Sequence, residues 1–408
     1  MFGVAAGFLA GVIFGTISGF VPGIHSNTVA GILAALSLPL VMVFGVEGVC
    51  VMIVSMMIVH TFVDILPSTF LGVPDPDTVL SVLPAHNLCL LGNGPEAVRV
   101  SALGSLWGFI FCLPLFALFT VVLPSVQGYV DWGIGLVILL AAGLLIVFSK
   151  APGWSCAVFL VSGLLGIYAM RFSYFSFGVF GIGEILLPLL TGLFGIPVLL
   201  TSMRSLVKPA EQTFTGLMIS QGAILKNGIK GAIAGAIVGW LPGFSSGTAN
   251  ALLAVRKSSD FEKMDPREYL ISTSAANTAN AVLGLAALYA VGRMRSGAMI
   301  TLASFDLPSI YLLVLAAGVA ALAGYAVTVY SSRLSRIFMR LNQRVLSKIV
   351  LLFLVGITAI ICGPFGILIL ILSTLVGMIP GMIDIPRIFC MGAIMLPVMF
   401  FTLGILNF

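Results

Sequence analysis

Two proline-glycine turns carry the most concentrated polar chemistry in the chain. The first is Pro22 and Gly23, with His25, Ser26, Asn27 and Thr28; the second is Pro242 and Gly243, with Ser245, Ser246 and Thr248. Proline lacks an N–H and blocks helix continuation, while glycine permits a tight reversal and a close backbone approach. Ser, Asn and Thr are good caps for the helix that follows. The first turn of such a helix presents free N–H groups and roughly half a positive charge, so the implied chemistry is anion binding. The flanking glycines, Gly11, Gly15 and Gly19 and again Gly231, Gly235 and Gly239, recur every fourth residue and read as helix-packing faces.

A second polar group suits cations. Asp64 stands in "HTFVDILPSTFLGVPDPD" (60–77), beside an apolar run and just ahead of Pro67, Ser68 and Thr69. Asn277, Thr278 and Asn280, with Thr273 and Ser274, make a polar helix face in and around "SAANTANAVLG" (274–284). A carboxylate and amides there could coordinate a cation, and the amides could also bind a carboxylate. The plainer readings stay open: Asp64 as a span-end residue facing water, the amides as helix–helix hydrogen bonds. His60 and His25 are candidate coupling groups, since histidine is the side chain that can exchange a proton near neutral pH, or simple hydrogen-bonding residues. An intramembrane phosphatase or lipid transferase using His25 or His60 with Asp64 is the enzyme alternative. No nucleophile, metal triad or HExxH spacing supports it.

The elements that must position these groups are membrane helices. Of 408 residues, 60% are hydrophobic and only 8% charged, against roughly 25% charged in soluble domains. No charged side chain precedes Glu47, and uncharged runs at 100–130, 151–170, 307–332 and 349–383 meet the ~20 residues that a spanning helix needs. The amino-terminal run has neither a basic leader region nor a cleavage site and is expected in the mature chain. Six cysteines are scattered singly, without a CxxC pair, and read as small buried hydrophobes. The net charge of +5 sits in short loops and reports orientation rather than nucleic-acid binding. Arg333, Arg336, Arg340, Arg344 and Lys348 have the spacing of a cytoplasmic interfacial helix. The alternating charges of 256–268 read as a solvated loop on the same side, and 124–131, with no basic residue, as a loop on the other.

The chain also repeats itself. "GTISGFVPGIHSNTVAG" aligns with "GAIVGWLPGFSSGTANA" at an offset of 220, which pairs Gly15 with Gly235 and Pro22 with Pro242. Further on, Ser162 falls on Ser373, Gly166 on Gly377 and Pro188 on Pro397. Three matches in the same order indicate a duplicated unit. The expected architecture is all-α and polytopic, with one repeat over 1–210 and another over 211–408. Each is a broken helical hairpin (3–45 and 228–255) plus about five spans. Those of the first half are expected near 48–63, 100–123, 132–149, 153–170 and 175–203. Those of the second are expected near 269–292, 307–331, 346–362, 365–380 and 386–406. An odd number of crossings separates the hairpins, so the repeats have inverted topology, a common plan among secondary transporters.

The segments "KGAIAGAIVGWLPGFSSGTANALLAVRKS" and "SAANTANAVLG" resemble the second signature of the large membrane permease subunit of tripartite tricarboxylate transporters, the TctA family. "GTISGFVPGIHSNTVAGILAALSLP" resembles its first, and looser similarity covers most of the chain. The resemblance implies a permease for carboxylates such as citrate, driven by an ion gradient and often fed by an extracytoplasmic binding protein together with a small membrane subunit. It implicates Pro22, Gly23, Pro242, Gly243, Asn277 and Thr278, the last standing where the family tends to have a second asparagine. Ser274 replaces the family's usual acidic residue, "AVGRMRSGAM" (290–299) lacks its second LGIPG-like tip, and the chain is short, as in archaeal members.

The functional expectation is therefore a multi-pass cell-membrane carrier for a small organic anion, working by alternating access. Its substrate site would be built from the two turns with Asn277, Thr278 and Asn280. Asp64 and His60 would couple transport to Na+ or H+, with no other cofactor, no metal and no nucleic-acid partner. A flippase holding an anionic lipid head group, such as a lipid phosphate, is the alternative.

Overall fold

The longest apolar runs fold into helices that come closest where glycine replaces a side chain. In this computed structural model, which describes residues 2–21, 26–72, 82–179, 181–182, 185–204, 210–214, 216–240, 249, 265–294, 296–334 and 343–405, two helix pairs show this most clearly. Helix α1 (Phe2–Phe20) lies along α3 (Ser37–Val63), and α10 (Gln221–Trp240) lies along α11 (Pro266–Val291). A Cβ on Gly15 would stand 2.5 Å from the Met56 carbonyl oxygen, and one on Gly235 would stand 2.6 Å from that of Ala276. Neither approach leaves room for a side chain. Gly11 against Met52 and Gly231 against Ser272 repeat the pattern, as do Gly19 against Val63 and Gly239 against Leu283. Each of these residues is 220 positions from its counterpart, so the offset read from the sequence also relates the packing of the two pairs.

Between the pairs run α2 (Ser26–Ala35), α4 (Ile65–Leu71), α5 (Val82–Leu90), α6 (Gly94–Val147), α7 (Pro152–Arg171), α8 (Leu186–Leu190) and α9 (Ile196–Arg204). After α11 come α12 (Gly297–Ala303), α13 (Ile310–Ser331), α14 (Gln343–Met382) and α15 (Gly392–Thr402). Seven described helices are long and apolar enough to cross a membrane, and the chain is an all-α, multi-pass membrane protein. The spans α3 and α11 lie innermost: 61% and 72% of their most apolar windows are buried, against 28% for α1. The free face of α1 turns Leu9, Ile13 and Ile17 outward, as a lipid-facing helix must. Arg336 and Arg340 of the expected interfacial helix lie outside the described residues.

Two expectations need correction. Residues 124–131, expected as a loop, are helical, because α6 continues through Pro114 and Pro124 for 54 residues. At 1.5 Å per residue it is about 80 Å long, far more than a bilayer core of ~30 Å. Each internal proline removes one ladder hydrogen bond, which gives such a helix a place to bend. The expected span at 175–203 is helical only from Leu186 onward and passes through a π turn at Thr191–Gly195. Ahead of it, β1 (Phe177–Gly178) pairs antiparallel with β2 (Gly181–Ile182). The expected spans 346–362 and 365–380 are the two arms of α14, which breaks between them at Gly363, where φ is +63°. The next residue, Pro364, has no N–H to offer the Ile360 carbonyl. The Val179 N–H takes its place at 2.8 Å, which ties the β turn to the break.

Buried apolar side chains form two principal cores. One joins α3, α4, α5 and the first half of α6 to α10–α13. The other joins the second half of α6 to α7, α8, α14 and α15 and takes in Ala234 and Val238 of α10 and Ala276 of α11. Both cores therefore draw on residues before and after 210. In the second, the paired serines reach across: Ser162 donates to the Phe389 carbonyl at 3.3 Å and Ser373 to that of Pro188 at 3.1 Å.

Candidate functional site

Helix α3 ends at a carboxylate in the interior rather than in water. Asp64 is 4% exposed and sits in right-handed helical geometry between α3 and α4, its N–H bonded to the His60 carbonyl. The Asn277 side-chain amide donates to its Oδ2 at 2.8 Å. Asn277 is itself 2% exposed and belongs to α11, so the bond joins the innermost helix of each glycine-packed pair. Removing a carboxylate from water is costly unless it is paired or protonated. The amide supplies part of that pairing, and the water-facing reading of Asp64 does not hold.

A ladder of buried hydroxyls extends the junction. Thr61 and Thr278 place their Oγ1 atoms 3.0 Å apart, and Ser101 and Ser274 place their Oγ atoms 2.7 Å apart. The Ser105 hydroxyl lies 3.3 Å from the carbonyl oxygens of both Thr61 and Ser274, to either of which it donates. These groups reach one another because α6 meets α11 through Gly104, where a Cβ would be 2.6 Å from the Ile271 carbonyl oxygen, and through Gly108 against Ala275. The close approach that glycine allows thus brings short polar side chains of three helices within bonding distance.

The other expected site residues divide. His60 turns to α1, where its Nδ1 is 2.9 Å from Ser18 Oγ. Ser26 opens α2 and is buried. Asn27 is not left for a ligand: its Oδ1 accepts the Gly297 N–H at 2.8 Å, and Thr301 donates to the Ala30 carbonyl at 3.2 Å, so α2 is pinned to α12. Asn280 is half-buried on α11, facing Gly239 of α10. Pro22, Gly23, His25, Pro242, Gly243, Ser245, Ser246 and Thr248 lie outside the described residues, as does the side chain of Thr28.

Three features were missed from the sequence. Ser101 and Ser105 lie among apolar residues at helical spacing and carry no motif. His86, 4% exposed in α5, bonds through Nδ1 to the Thr69 carbonyl at 3.0 Å. Burial pushes its imidazole below the usual histidine range, only partly offset by that bond. The third corrects the reading of 256–268 as a solvated loop. Residues 256–264 lie outside the described residues, but the rest of the segment is structured. Asp265 caps α11 by accepting the Arg267 N–H at 2.9 Å. Arg267 then makes a two-pronged pair with Glu96, Nε to Oε1 at 2.9 Å and Nη2 to Oε2 at 2.8 Å. Glu96 is fully buried and also accepts the Met218 N–H.

Comparison with known proteins places the chain in a family. The model of the tripartite tricarboxylate transporter TctA family matches residues 6–392. The chain belongs to the TctA family. An uncharacterized protein of Methanocaldococcus jannaschii is 29% identical over 275 residues, which cover 65% of this chain and 64% of that protein. No solved structure matches. This TctA-family chain is thus a divergent, archaeal-type member of a transporter family.

Proposed function

We propose that this protein carries a small organic anion, a di- or tricarboxylate, across the membrane by alternating access coupled to Na+ or H+. The observation that supports this reading best is the buried Asp64–Asn277 junction. A carboxylate held at the α3–α4 junction within a membrane bundle is stabilised by a proton or a cation, so its occupancy can favour one arrangement of the bundles over another. The anion is bound at the two proline-glycine turns, where helix N-termini offer N–H groups and partial positive charge. The repeats 1–210 and 211–408 have inverted topology. The two apolar cores are the bodies that move relative to one another. A small membrane subunit and an extracytoplasmic binding protein complete the system, as the family's tripartite name suggests.

A ligand screen on purified protein tests this. A ligand bound only by the folded state raises the melting temperature. Di- and tricarboxylates should do so in a way that depends on Na+ or on pH, and Asp64→Asn should abolish the dependence while leaving the unliganded melting temperature near that of the parent. If no carboxylate shifts the melting temperature under any ionic condition, the reading fails.

A further inference from the structure

After α7 the chain makes a short excursion whose side chains and backbone require different surroundings. Residues 172–183 contain no charged side chain, and Tyr174, Phe175, Phe177 and Val179 are each between 55% and 78% exposed. The rings form a cluster: the centroids of Tyr174 and Phe175 are 4.4 Å apart, and Phe175 lies 5.9 Å from Phe365 of α14. The two helices that meet here also turn apolar residues outward, Leu160 and Leu164 on α7 and Leu368 and Ile371 on α14. The backbone is the opposite case. Among the described residues β1 and β2 pair with each other and with no third strand, so each leaves an edge of N–H and C=O groups without a ladder partner.

Those requirements leave one location. In water the patch would expose large apolar side chains with no charge among them. In the hydrocarbon an open strand edge is costly, because nothing there bonds it. The boundary between head groups and acyl chains meets both needs: rings enter the lipid while water and head groups bond the backbone, which is why amphipathic rings gather there. Helix length agrees. With 20 residues α7 is about 30 Å long, the thickness of a bilayer core, and the excursion begins where α7 ends. We propose that residues 172–179 are a lipid anchor, seated at the head-group boundary with Tyr174, Phe175, Phe177 and Val179 turned into the membrane. The Val179 N–H bonds the Ile360 carbonyl at 2.8 Å. Gly178 meets the backbone at Ile360 and Gly363 meets that at Phe177, both too closely for a side chain. The anchor therefore holds the break of α14 at the same depth, whatever the protein carries.

Spin labelling of the full chain, reconstituted alone in liposomes, tests this. Cys156 is the one native cysteine that is not buried, so Cys156→Ala gives a background in which a single introduced thiol is labelled. Nitroxides at Tyr174→Cys and Val179→Cys are compared with one at Val161→Cys, an outward position midway along α7. Power saturation with oxygen, which partitions into lipid, and with a water-soluble nickel chelate reports the depth of each. Both anchor labels should lie about 5–10 Å into the boundary layer, with the Val161→Cys label clearly deeper. Anchor labels reached chiefly by the chelate would place the segment in water, and labels as deep as that of Val161→Cys would place it in the hydrocarbon. Labels shielded from both reagents would mean that a second copy of the chain covers the patch. Each of these three results overturns the anchor. The two anchor positions report independently, so either one decides the matter if the other variant fails to fold.

Discussion

Arg267→Met is expected to destabilise the fold severely, although the residue lies in what reads as a charged loop. The substitution keeps the length of the aliphatic stem and removes the guanidinium. Glu96, fully buried, then loses two charge-assisted hydrogen bonds of 2.9 and 2.8 Å and keeps the Met218 N–H. Removing one partner of a buried ion pair costs about 3–5 kcal/mol, because the remaining charge is uncompensated. Arg267 is itself only 13% exposed, so solvent does little to reduce this. Glu96→Leu combined with Arg267→Met should recover most of the loss, since an apolar pair of similar volume leaves no charge behind. Equilibrium unfolding in mixed micelles, run as a double-mutant cycle, measures both quantities. A single variant within about 1 kcal/mol of the parent, the range of an exposed pair, would show that water reaches the carboxylate and would refute the reasoning.

Gly15→Ala and Gly235→Ala should each cost about 1–3 kcal/mol, as overpacking does, because the added methyl would press on the carbonyls of Met56 and Ala276. The same unfolding assay checks this, and the two costs should be similar if the two helix pairs are equivalent in packing. Asn27→Ala removes the acceptor for the Gly297 N–H and should cost about 0.5–1.5 kcal/mol. Faster amide exchange at the start of α12 would report it, and unchanged exchange there would show that the bond is not maintained.

Glycine spacing and hydropathy made the helix pairs legible. Gly11, Gly15 and Gly19 announce a packing face in sequence, and their 220-residue counterparts announce a second. Asp64 and Asn277 were legible as polar residues beside apolar runs and as one candidate cation site, but the bond between them was not, since it depends on how α3 and α11 cross. Ser101 and Ser105 were hidden because a serine in an apolar run says nothing of its partner. Glu96 and Arg267 were hidden for a related reason: each lies at a helix start, where a charge reads as solvated, and their pairing spans 171 positions of sequence. The lack of basic residues misled at 124–131, where the helix runs on through Pro124. At Gly363 and Pro364 the same residue type does break a helix, because glycine there supplies the positive φ.

Proteoliposome uptake tests the proposed function most directly. Purified parent protein should accumulate a labelled di- or tricarboxylate when an inward Na+ or H+ gradient is imposed, and should lose the accumulated label when an ionophore collapses that gradient. Asp64→Asn should exchange the anion without concentrating it. Accumulation that ignores both gradients, or Asp64→Asn that concentrates as the parent does, would contradict a coupled carrier built around the Asp64–Asn277 junction.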